Sequence, residues 1–141
     1  MGMTLTVKLN KTSDSFPVDS YVVQAMTKMA FHSLENGQFM EAHTIARSLL
    51  AIRPDNATPH LILAVSCIFR KEPVMAIKII TDKALPLEPN NDLVKAFLGL
   101  ALRDAGYAAQ GSELLTLLSL SKDSEAATMA KELLSQAHQG S

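Results

Sequence analysis

The side chains able to do chemistry in this 141-residue chain are few and scattered. His32, His43, His60 and His138 could ligate a metal or move a proton. They show no His-x-x-x-His spacing and no neighbouring pair of cysteines, so a metal site would have to gather ligands from distant segments. They read as surface or groove histidines. Cys67 is the single cysteine, which excludes an internal disulfide and a Cys-rich zinc site and fits a reducing cytosol. It lies in the apolar run LILAVSCIF, Leu61 to Phe69, and reads as a buried inert thiol and not a nucleophile. Glu41, Glu113 and Glu132 read as solvated helix faces, not as an acid–base pair. In GYAAQGS, Gly106 to Ser112, two glycines have the look of a phosphate loop, but Ser112 stands where a lysine would reach the phosphates. No catalytic residue, metal or cofactor is expected, and the chain is not expected to be an enzyme.

The bulk composition narrows the remaining classes. Apolar residues make up 48% of the chain, enough for a sizeable core in one domain. The formal net charge is −1 and the 13 basic residues form no run, so no nucleic-acid footprint is expected. The opening MGMTLTVKLNK alternates apolar and polar residues, unlike a secretory signal. The Leu61–Phe69 run is too short to cross a bilayer, so a soluble cytoplasmic protein without membrane insertion is expected.

The elements that position these residues repeat. Ala30, Ala64 and Gly99 are separated by 34 and 35 residues, and so are Ala42, Ala76 and Gly111. Gly37 and Gly106 lie 69 apart, the sum of those spacings, and Pro54 and Pro89 close the first two copies. A period near 34 implies stacked supersecondary units. The spacing predicts two helices per unit: Val22–Asn36 with Phe39–Ile52, Pro59–Phe69 with Pro73–Ala84, and Leu93–Ala105 with a partner through Ser112–Leu120. Asn36-Gly37 and Gly106 stop the first helices because these residues tolerate left-handed backbone angles, and Asp92 is expected to cap the third. The small residues are expected where paired helix axes approach, with Leu49, Leu63, Leu98 and Phe39 alongside. Met26, Met29, Met40, Met75 and Met129 are expected in the core, a minority lining an adaptable surface. The expected fold is an all-α superhelix of about three helix pairs, spanning 23–56, 57–91 and 92–120. A capping helix over 123–138 carries the stripe Ala126, Ala130, Leu133 and Ala137, stopped by Gly140. Met3–Leu9 alternates like a strand, so residues 1–18 form an extension that is either disordered or paired with another chain.

This arrangement resembles the tetratricopeptide repeat. Leu98-Gly99, Gly37, Phe39, Ala42 and Pro54 match its pattern. The departures are Met26, His60 and Lys95 at its early Trp, Lys71 at the second turn's Gly, an extra residue around Pro86, and no closing Pro in the third unit. The resemblance covers about Val22 to Leu120. It implies a concave groove lined by the first helix of each unit: Thr27, Phe31 and Leu34, then Leu61, Val65 and Ile68, then Leu93, Ala96, Leu100 and Arg103. Most are apolar, which departs from the basic clamp of tetratricopeptide proteins that grip chaperone carboxylates. An apolar groove suits an amphipathic helix or extended apolar segment of a partner protein. The short array is similar in size and unit count to the small tetratricopeptide chaperones of bacterial type III secretion, which implies sequestration of an apolar partner segment in the cytosol. The alternative is a structural protein that self-associates or organises a complex, which leaves both a homo- and a hetero-oligomer open.

Overall fold

A computed structural model describes residues 20–139. The strand-like segment Met3–Leu9 and the stop at Gly140 lie outside the described residues, as do the side chains of Ala137 and His138. The described chain is all-α and built as a helical repeat. Helices α1 (Ser20–Glu35) and α2 (Phe39–Ile52) form the first hairpin. The second pairs α3 (Thr58–Phe69) with α4 (Pro73–Ile79), which runs on through a π-helical turn (Ile80–Ala84) into the short α5 (Leu85–Leu87). The third joins α6 (Asp92–Asp104) to α7 (Ala108–Leu118), and α8 (Ser124–Gln139) closes the stack.

The period is visible in the backbone hydrogen bonds at the three hairpin turns. The Gly37 N–H donates to the Leu34 carbonyl and the Gln38 N–H to that of Ser33, at 3.1 and 2.8 Å. The same pair recurs as Lys71 to Ile68 and Glu72 to Cys67, and again as Gly106 to Arg103 and Tyr107 to Leu102. Each is a helix C-terminus closed by one residue in the left-handed region, with φ of 75° at Gly37, 65° at Lys71 and 97° at Gly106. The lysine therefore adopts the glycine conformation that its position in the repeat demands.

The extra residue of the second unit is taken up within its second helix. Around Ile80–Ala84 the winding widens, and the Leu85 N–H bonds the Ile80 carbonyl five residues back. A π-turn absorbs one residue while leaving the helices on either side in register with their neighbours. Past it, the Glu88 carboxylate takes the Ala57 N–H at 2.6 Å and the Asn91 amide at 2.8 Å, tying one inter-unit junction to the next. Asn91, not Asp92, caps α6: its side-chain oxygen accepts the Val94 N–H. Asp92 is the first helical residue, and its carboxylate receives the Ser121 hydroxyl instead. Asp123 caps α8 through the N–H groups of Glu125 and Ala126.

Small residues sit where the helix axes come closest. Ala30, Ala42, Ala64 and Ala76 are fully buried. In the third hairpin both positions are glycine and the approach is tighter. A Cβ on Gly111 would lie 2.8 Å from the Gly99 carbonyl oxygen, and one on Gly99 would lie 2.8 Å from the Leu115 side chain. One apolar cluster runs through α1 to α6 and includes Leu49, Ile62, Ile80 and Val94; a second joins α6, α7 and α8 through Ala96, Leu115, Leu118, Ala130 and Leu133. Each fully buried Leu or Ile contributes about 1.5–3 kcal/mol.

Candidate protein-binding surface

The groove expected from the repeat divides into a sealed part and an accessible part. Leu34, Leu61, Val65, Ile68 and Ala96 are buried inside the chain, Val65 with only 3% of its surface exposed. These five do not line an open groove, and the reason is topological. Helix α3 is packed on by α1, α2, α4, the π-turn and α6, so its apolar side chains face neighbours nearly all round. Across it, Phe31 of α1 and Phe97 of α6 stack with ring centroids 6.1 Å apart, joining the first unit to the third. Ala96 faces the other way, into the cluster made with α7 and α8.

Thr27, Phe31, Leu93, Leu100 and Arg103 are half-buried. Thr27 donates its hydroxyl to the Val23 carbonyl, and the Arg103 guanidinium donates to the Leu133 carbonyl on α8. Arg103 therefore braces the terminal helix. Phe31, Leu93 and Leu100, joined by Phe97, leave an apolar strip between α1 and α6. Phe97 was not among the residues implied by the repeat pattern. Its aromatic character in α6 was the available signal, but its partner lies far along the chain.

Other chemistry-bearing residues have structural partners. The His43 Nε2 on α2 lies 2.8 Å from the Ser66 Oγ on α3. A serine within reach of an imidazole is the geometry of an activated nucleophile. Ser66 is fully buried, however, so the contact satisfies a hydroxyl that folding removes from water. Glu41 does more than face solvent: it accepts the hydroxyl of buried Ser33, a second polar contact stitching α1 to α2. Burial lowers the pKa of His43, helped by Arg70 and then Arg47; burial also lowers that of His60, helped by Lys83. Cys67 is buried. Among the described residues no group of three His, Cys, Asp or Glu side chains is placed to hold a metal ion.

Several large apolar side chains are left in solvent. Met29, Met40 and Met75 are exposed, contrary to the core expectation, whereas Met26 and Met129 are half-buried against the two clusters. An open recess of about 480 Å³ lies at the junction formed by Glu88–Asp92 and Asp123. Four of its polar side chains are already committed: Glu88 to Ala57 and Asn91, Asn91 to Val94 as well, Asp92 to Ser121, and Asp123 to the start of α8. No helix among the described residues is long and apolar enough to cross a membrane. No protein-family model matches the sequence, and comparison with curated proteins finds no match.

Proposed function

We propose that this chain is a protein-binding module of the tetratricopeptide kind that holds an apolar or amphipathic segment of a partner against the strip between α1 and α6. The observation that supports this is the stacked Phe31–Phe97 pair, half-exposed and continued by Leu93 and Leu100 at one- to two-turn spacing on α6. Apolar side chains kept partly in water beside a packed core cost solubility, and a partner that covers them recovers that cost. The likeness in size and unit number to the small chaperones of type III secretion makes sequestration in the cytosol the finer reading. The narrow strip suits one helix or one extended segment and not a large flat interface.

The test is co-purification from the native host with the wild-type chain and with Leu93→Asp. Leu93 belongs to neither apolar cluster, so this change leaves the core intact. Helicity is expected to be unchanged, and the partner captured by the wild type is expected to be lost. Undiminished capture by Leu93→Asp removes this surface as the binding site.

A further inference from the structure

The repeat register identifies a second surface, distinct from the strip just described. In the second unit Pro59, Ile62, Leu63 and Ser66 share the side of α3 on which Ser66 meets His43 of α2, and in the third unit the same repeat positions are Val94, Phe97, Leu98 and Ala101. Helix α2 packs along α3 and α4 along α6, and Pro59, Ile62, Ser66, Val94 and Ala101 are buried; Leu63, Leu98 and Phe97 are half-buried, Phe97 against Phe31. Thirty-four residues before Pro59 the same positions on α1 are Ala25, Lys28, Met29 and His32. All four are exposed, Met29 by 59%, and Tyr21 and Val22 are exposed beside them. The outer side of α1 is thus a stacking face with no second helix on it among the described residues.

The repeat register extended backward meets polar residues. The positions 34 residues before Ala42, Ile45, Ala46 and Leu49 are Lys8, Lys11, Thr12 and Ser15, which lack the inward apolar stripe of a second helix. A second copy is disfavoured by charge. Antiparallel pairing of two α1 helices about the middle of Val22–Met29 would set the two Lys28 side chains within about 8 Å along the axis, an unfavourable like-charge approach. Lys28 interrupts the apolar strip with a positive charge where the other units carry Ile62 and Phe97. We propose that the outer face of α1 docks one amphipathic α-helix of another protein, which takes the place that α2 holds on α3 and presents a carboxylate to Lys28.

The probes are two synthetic peptides with the sequence of α2, Phe39–Ile52, one native and one carrying Arg47→Glu. The His43–Ser66 contact aligns α2 with α3, and one turn along, residue 47 falls opposite Ile62, the position that Lys28 occupies on α1. Titrated against the full chain by fluorescence anisotropy, the Arg47→Glu peptide is expected to bind about two- to fivefold tighter than the native one, the size of an exposed ion pair. Lys28→Glu reverses the preference, Met29→Asp abolishes binding of both peptides, and Leu93→Asp changes neither. Both α1 residues are exposed, so circular dichroism is expected to report intact helices in these variants. Absence of binding, equal affinity for the two peptides, or binding indifferent to Met29→Asp overturns the proposal. So does sedimentation showing a dimer that Met29→Asp dissociates. Loss of peptide binding in Leu93→Asp would place the peptide on the α1–α6 strip and also overturn it.

Discussion

The imidazole of His43 reaches from α2 to the hydroxyl of Ser66 on α3, 2.8 Å away, and in doing so fills a polar gap in the seam between the first two units. Its surroundings oppose a charge: burial first, then Arg70 and Arg47. His60, at the start of α3, is opposed in the same way by burial and Lys83. Both pKa values therefore lie below the ordinary 6.5, and the unfolded chain binds protons more readily than the folded one. The stability these neutral imidazoles allow is full above the ordinary value of 6.5 and is lost as pH falls from there through the folded pKa values. Denaturation at stepped pH is expected to show this decline, with a shallower slope in His43→Gln. An unchanged slope in that variant would assign the decline to other groups.

The third hairpin depends on two missing side chains. A methyl at residue 111 would press on the Gly99 carbonyl oxygen and on Arg103 at 2.8 to 3.1 Å, atoms that include backbone and cannot swing aside. Gly111→Ala is expected to lower stability by about 1–3 kcal/mol, despite the gain in helix propensity. Gly99→Ala meets only the Leu115 side chain and is expected to cost less. Urea denaturation of the two variants gives the comparison; equal stability of Gly111→Ala and wild type would contradict the tight approach.

Lys71 holds a left-handed conformation with a side chain that disfavours it. Lys71→Gly is expected to raise stability by about 1 kcal/mol, while Lys71→Ala, which keeps a Cβ, gives no such gain. Gly37→Ala, at φ 75°, is expected to move stability in the opposite direction. Thermal melts of the three variants provide the check.

These turns explain what was legible in the sequence. Gly37 and Gly106 mark hairpins because few residues tolerate their backbone angles, and Lys71 could be placed by period alone. The bounds Phe39–Ile52 for α2 follow from Gly37 before it and Pro54 after it. The small pairs at 30/42, 64/76 and 99/111 likewise mark where axes meet. What could not be read was the difference between a groove and a core. Leu61, Val65 and Ile68 lie on a helix that is apolar on several sides, and helical periodicity is the same whether such a side faces solvent or a neighbour. The closure over α3 depends on the path of the stack, which brings Phe31 to Phe97. The outward turn of Val22 and Met29 was hidden for a related reason: both sit one step from the inward stripe of Val23, Met26 and Ala30, and among the described residues no earlier hairpin fixes which side of the first unit is inside.

The widened winding at Ile80–Ala84 bears on how such an array tolerates changes of length. An inserted codon in the middle of a helix would ordinarily rotate everything after it by about 100°, turning buried faces outward. Here the surplus is wound into one broad loop of backbone, and Ile80 and Ala84 on either end of it still point inward. One residue can thus be added or removed at this point while the third hairpin keeps the faces it buries.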